Sequence, residues 1–175
     1  MLIILAGLPG VGKSSVAREL ARRCGWVHLR IDTIEQVLAD SGADDIVRAD
    51  PGLGYRIAYA VAADNLRLGL TVVGDSVNSL TITRDAWRAV AERAGTTAVE
   101  VEVICSDPVE HRGRVETRVI DVAGLTPPTW AEVQGREYHP WPRDRVVIDT
   151  AGRALEACVD ELEAALNGPR GPTRT

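Results

Sequence analysis

One stretch limits the possible folds of this chain more than any other: Gly7-Leu8-Pro9-Gly10-Val11-Gly12-Lys13-Ser14. It spells a phosphate-binding loop, a pattern that works only between a strand and a helix. Both flanks are present. Leu2-Ile3-Ile4-Leu5-Ala6 is a short apolar run, as expected of a strand buried on both faces. Ser14 to Arg23 reads as a helix with Val16, Ala17, Leu20 and Ala21 on one face. The residue types suit the chemistry. Gly7, Gly10 and Gly12 let backbone N–H groups converge on phosphate oxygens, and the helix N-terminus adds partial positive charge. Leu8, Pro9, Val11 and Ser15 complete the expected nucleotide-binding stretch. Lys13 supplies a mobile point charge for β- and γ-phosphates, and the Ser14 hydroxyl is a candidate Mg²⁺ ligand. Lys13 is also the only lysine in the chain, every other basic side chain being arginine, whose planar fork would fit poorly at that position.

The rest of the sequence narrows the setting. A chain of 175 residues with 45% hydrophobic and 26% charged residues is expected to form one globular domain, residues 1–167, followed by a flexible tail at 168–175. Phe is absent, so Leu, Val, Ile and Ala must carry the packing. A formal charge of −5 argues against broad contact with nucleic acid. No apolar run approaches the length of a membrane span, and no leader is visible, so a cytoplasmic location is expected. Cys24, Cys105 and Cys158 are odd in number and lack metal spacing, which fits reduced thiols.

Along the chain, strands are expected at 26–31, 70–73, 99–105 and 146–148, with helices at 33–40, 55–67, 83–93, from 107 to about 120, 129–136 and 152–166. Residues 41–54 read as an irregular polar connection. The alternation Val99-Glu100-Val101-Glu102-Val103 suggests a fourth strand partly exposed at its start. Five strands alternating with helices predict an α/β fold with a parallel sheet covered on both faces. Ligands then sit beyond the carboxyl ends of the strands, where the informative residues should be.

Two aspartates occupy such ends, Asp32 after strand two and Asp75 after strand three. Near a phosphate loop, one carboxylate can activate an acceptor hydroxyl while the other serves the metal. Asp75 closes an apolar strand and is assigned to Mg²⁺. Asp32 precedes the irregular stretch and is assigned to the base, although the two roles could be exchanged and each residue could simply cap a helix or turn. Arg30 lies two residues before Asp32 and could pair with it or bind an anionic acceptor. Arg112, Arg114 and Arg118 follow strand four, where a closing lid (about 108–136) would carry guanidinium groups onto the transferring phosphate. Arg114 and Arg118 share a helix face, and Glu110 four residues before Arg114 admits a solvated ion pair instead. His28 reads as a strand histidine rather than a ligand, and Trp130, Tyr138 and Trp141 could line an acceptor pocket or seal the last strand, packing being the preferred reading.

The loop at 7–14, Asp32, the Asp75-Ser76-Val77-Asn78 run with Arg84, and the Arg114…Arg118 pair together resemble the small P-loop kinases of the AAA-type ATPase group. That group is similar to chloramphenicol phosphotransferase, zeta toxins, gluconate kinase and the kinase part of polynucleotide kinases. The resemblance spans most of residues 1–166 and implies a three-layer P-loop NTPase fold with strand order 2-3-1-4-5. It also implies an ATP donor, a hydroxyl acceptor near Asp32, and roles for Asn78 and Arg84 in binding acceptor or phosphate. Asp149-Thr150 resembles the part of the pattern close to adenine. It does not extend to the acceptor pocket, where Asp32 is followed by Thr33-Ile34 and adenylate-kinase-like residues are absent between 33 and 55.

The sequence therefore supports an ATP- and Mg²⁺-dependent phosphotransferase acting on a small-molecule hydroxyl. Two alternatives stay open, a polynucleotide or nucleotide kinase and a regulatory switch that phosphorylates nothing.

Overall fold

The computed structural model describes residues 1–42, 44–119 and 122–168. Five parallel strands form one sheet in the order β2-β3-β1-β4-β5: β1 (Leu2–Ala6), β2 (Val27–Arg30), β3 (Val72–Asp75), β4 (Ala98–Ile104) and β5 (Val146–Asp149). The register pairs Leu5 with Asp75, which brings the ends of β1 and β3 to one edge of the layer, while β4 runs past β1 to pair Ile104 with Asp149 of β5.

β1 is apolar throughout because both its faces are covered. Ile3 and Leu5 pack with α1 (Lys13–Cys24) and α8 (Leu155–Asn167), in a cluster that includes Val16, Leu20, Val159 and Leu162. Leu2 and Ile4 pack on the opposite face, with Ala58, Ala62 and Leu66 of α4 (Leu53–Arg67) and Trp87 and Val90 of α5 (Thr81–Arg93). In a chain without Phe, the largest core side chain is Trp87, fully buried edge-on to Tyr59. Gly74 makes room for it, since a Cβ there would lie 3.1 Å from the indole.

Several expected boundaries move. Strand two ends at Arg30 and α2 (Ile31–Asp40) starts at once, so Asp32 sits in the first turn of a helix rather than at a strand end. The expected irregular stretch contains α3 (Asp44–Ala49) and the start of α4. Its Gly and Pro residues punctuate short helices instead of abolishing them. α6 (Pro108–Thr117) is N-capped by Asp107, with Pro108 in its first turn, and ends before Arg118. The expected continuation towards Ile120 is corrected at Arg118, whose backbone is already extended (φ −61°, ψ 139°), while Ile120 itself lies outside the described residues. α7 (Trp130–Gln134) carries a complete capping box between Thr129 and Glu132. Of the expected tail, only Gly168 is described, as the C-cap of α8.

The expected partial exposure at the start of β4 holds for Ala98 and Val99, which are half-buried, but not for the glutamates that suggested it. Glu100 and Glu102 are buried because the segment between α7 and β5 folds over them. Arg143 grips Glu100 with two hydrogen bonds of 3.0 and 2.9 Å, and Glu102 accepts from Tyr138 at 3.0 Å and from Arg145. Alternation along β4 thus marks a polar but covered face, with the arginines supplying what water would otherwise supply.

Candidate active site

The carboxyl ends of β1, β2, β3 and β5 open into a cavity of about 1080 Å³. Leu8, Pro9, Gly10, Gly12, Lys13, Ser14 and Ser15 line one part of it. The loop's shape requires glycine at two places in particular. At Gly7 (φ +149°), a Cβ would lie 2.3 Å from the Val103 carbonyl oxygen of the central sheet. At Gly10 (φ +88°), one would lie 2.5 Å from Val115 Cγ2 of α6. Gly7 and Val11 shape the loop without lining the cavity.

At the heart of the loop, Lys13 Nζ donates to Asp75 Oδ1 at 2.8 Å, and His28 Nε2 lies 3.3 Å from Asp75 Oδ2. Asp75 is fully buried and Lys13 nearly so. Burial alone would favour the neutral acid. The Lys13 ammonium, reinforced by hydrogen bonds from His28, Lys13 and Ser14, outweighs it and holds the Asp75 carboxyl far below the usual carboxylate range. His28 is thus more than a strand histidine. It shares a strand face with Arg30, which is the signal that could have flagged it.

Around the mouth of β2, the cavity is lined by Arg30, Asp32, Glu35, Tyr55 and Ser76. Arg30 Nη2 lies 3.4 Å from Asp32 Oδ2, the pairing foreseen from sequence but made across the start of α2 rather than along a strand. Glu35 stands one helical turn after Asp32, and burial, with Asp32 second, pushes its carboxyl up. Burial likewise raises the Tyr55 phenol. Glu35 and Tyr55 escaped sequence reading because the elements that gather them meet only in three dimensions, whereas Ser76 belongs to the 75–78 run on which the resemblance rests.

The arginines after β4 divide. Arg112 points away from the cavity and pairs with Glu116 at 2.8 Å on an exposed helix face. Arg114 and Arg118 both line the cavity. Arg114 is held firmly: it donates to Thr150 Oγ1 at 2.7 Å, to the Thr150 carbonyl at 2.9 Å and to Glu110 at 2.6 Å. The other oxygen of Glu110 accepts from Gly152 N at 2.8 Å, so this carboxylate braces α6 against the turn after β5 instead of sitting on a solvated face. Thr150 lines the cavity, whereas Asp149 ties the neighbouring turns by accepting from Ser106 N and Ala151 N, each at 3.0 Å.

Asn78 and Arg84, expected from the resemblance to meet acceptor or phosphate, lie outside the cavity lining and have structural tasks. Asn78 adopts φ +45° and donates from Nδ2 to the Leu5 carbonyl at 2.6 Å. Arg84 is fully buried. Its guanidinium donates to the carbonyls of Asn78 (2.7 Å), Ser79 (2.9 Å) and His139 (3.1 Å), and its Cζ lies 3.9 Å from the Trp141 ring centroid. Together they pin the 76–79 turn to the end of β1, where Gly7 N donates to Val77 O at 3.1 Å. Tyr138 and Trp141 pack as expected, against Arg84.

The cavity wall is basic although the chain is acidic. Its lining carries Lys13, Arg18, Arg30, Arg114, Arg118, Arg136 and Arg153 against Asp32, Glu35 and Glu132, although Lys13, Arg114 and Arg153 are also paired with Asp75, Glu110 and Glu161 behind the wall. Such a concave cationic wall concentrates polyanions. Among the described residues, no helix is long and apolar enough to cross a membrane.

Phosphate loop, sheet order and strand-end cavity together define a small P-loop kinase domain. Residues 2–123 match the AAA domain family, and the chain belongs to that family. It is 33% identical to a shikimate kinase of Frankia casuarinae over 178 residues, covering 96% of this chain and 73% of the relative. Among solved structures, a gluconokinase from Sinorhizobium meliloti superposes with a TM-score of 0.63 at 24% identity, covering 94% of this chain and 90% of that one. The APS kinase of Mycobacterium tuberculosis, solved with AMPPNP and APS, gives 0.69 at 20% identity, covering 95% and 97%. Likenesses at these identities speak for the fold.

Proposed function

We propose that this kinase transfers the γ-phosphate of Mg·ATP to a hydroxyl of a small molecule. One observation carries the reading: the phosphate loop and the Arg30–Asp32 pair open into the same cavity, so a donor phosphate and an acceptor hydroxyl can meet between them. The relatives' names, shikimate kinase and gluconokinase, support a small-molecule acceptor.

In this reading the loop amides and Lys13 hold the β- and γ-phosphates. Asp32, oriented by Arg30, accepts the proton of the attacking hydroxyl. Glu35, Tyr55 and Ser76 offer the acceptor further hydrogen-bond partners. Arg118 neutralises charge on the transferring group. Arg114, fixed on Thr150, serves the nucleotide side, and residues 108–136 act as the lid.

The residues present fit Mg²⁺. Ser14 and the buried Asp75 carboxylate are adjacent hard oxygen donors, joined by a hydrogen bond. Magnesium needs only one or two such protein groups when phosphates and water complete its shell. Bound there, it would neutralise the β- and γ-phosphate oxygens.

Kinetics test the roles. Lys13→Ala should abolish turnover. Asp32→Asn should lower kcat by roughly 10²–10⁴-fold with ATP binding nearly intact. Unchanged kcat in that variant would remove Asp32 from the base role.

A further inference from the structure

We infer that His111 is a positioning residue for nucleotide binding: from the lid helix it fixes the Pro9 carbonyl of the phosphate loop and so aims the loop's amides at the phosphates. The inference rests on the reading that this loop binds nucleotide.

His111 is nearly buried on α6, and its Nε2 lies 2.8 Å from the Pro9 carbonyl oxygen. A carbonyl can only accept, so Nε2 carries the hydrogen. The Pro9–Gly10 peptide is trans, and in a trans peptide the C=O and N–H point in opposite directions. Holding the Pro9 oxygen against α6 therefore turns the Gly10 N–H away from α6, and Gly10 is a cavity residue. The pattern recurs two residues later. Thr150 Oγ1 lies 2.8 Å from the Val11 carbonyl, which orients the N–H of Gly12, also a cavity residue.

External partners matter here because glycine does not hold its own peptide planes. Gly10 and Gly12 sit at φ +88° and +90°, and without a Cβ each has several accessible orientations. Thr150 belongs to the scaffold just after β5, whereas His111 belongs to α6, the first element of the lid. Its ring stands edge-on to Trp130, the first residue of α7, with centroids 5.1 Å apart. Seating of the lid and phosphate affinity of the loop are thus linked through one imidazole, and such a linkage acts in both directions.

The test is equilibrium binding of Mg·AMPPNP by calorimetry to wild type, His111→Phe and His111→Gln, with melting temperatures measured alongside. Phe keeps a ring against Trp130 but donates nothing, while Gln keeps an N–H donor at similar reach. Loss of one hydrogen bond predicts roughly 3–10-fold weaker binding for Phe, with Gln within about 2-fold of wild type. Equal affinity of Phe and wild type, or equal weakening of Phe and Gln, overturns the inference. Should Phe fail to fold, Gln against Asn gives the same comparison, because the Asn amide is one methylene short of Pro9. Trp130→Leu leaves the His111–Pro9 bond available and loosens the lid. It should also weaken Mg·AMPPNP, and unchanged affinity refutes the link to the lid. Wild type that binds no Mg·AMPPNP refutes the nucleotide reading itself, and the inference with it.

Discussion

The Lys13–Asp75 pair can be tested without knowing the acceptor. It is a 2.8 Å ion pair between a fully buried carboxylate and a nearly buried ammonium. Removing one partner of such a pair leaves the other charge buried and uncompensated, at a cost of about 3–5 kcal/mol. At about 2–4 °C per kcal/mol for a chain of this size, Lys13→Met or Asp75→Asn should each lower Tm by roughly 6–20 °C. The double variant has no stranded charge, so its loss should fall short of the summed single losses by about 2 kcal/mol or more. The pH dependence has a definite sign. The folded-state pKa of Asp75 is depressed, so its stabilisation is complete above the unfolded carboxyl value of about 3.9 and is lost as pH falls toward the folded value. The gap between wild type and Asp75→Asn should therefore narrow below about pH 4. Urea unfolding followed by circular dichroism at pH 7 and pH 3 reads both effects. Additive single and double losses, with a gap independent of pH, would refute the buried ion pair as the organiser of the loop.

Two further substitutions separate scaffold from site. Arg84→Lys removes the planar fork that serves the carbonyls of Asn78, Ser79, His139 and Pro140 and stacks on Trp141, so it should cost about 2–4 kcal/mol in urea unfolding while leaving KM for ATP within about 2-fold. Full stability with a large rise in acceptor KM would return Arg84 to the substrate. Gly7→Ala drives a Cβ to 2.3 Å from a backbone oxygen of the central sheet, which cannot yield as a flexible side chain would. It should destabilise by about 2 kcal/mol or more and weaken nucleotide binding, as unfolding and calorimetry would report. Wild-type behaviour would show that the loop tolerates a different path.

What the sequence made legible was the part written locally. The apolar run 2–6, the loop spelling and the Asp107-Pro108 helix opening each carry their structural consequence in consecutive residues, and the β-α alternation carries the sheet. Residues whose partners lie far along the chain were misread or missed. Glu100 and Glu102 alternate as solvent-facing residues do, and only the distant Arg143 and Arg145 make them interior. Arg84 sits in a motif suggestive of binding, yet Trp141 and the 139 carbonyl, more than fifty residues on, commit it to the scaffold. His28 and His111 had no mutual spacing to mark them, because each works alone on a group brought to it by the fold. Asp32 lines the cavity as its place after β2 suggests, although the helix that begins at Ile31 sets its direction differently from a strand end.

The central claim is tested most directly by ADP release from Mg·ATP, measured alone and with pooled acceptors: sugars, sugar acids, nucleosides, aminoglycosides and phenicols, and 5′-hydroxyl oligonucleotides. Wild type and Asp32→Asn are compared side by side. The account predicts that one small-molecule pool accelerates release in wild type and that the acceleration is lost in Asp32→Asn. Acceleration by the oligonucleotides alone, equal acceleration in both proteins, or tight ATP binding with no acceleration by any pool would contradict it.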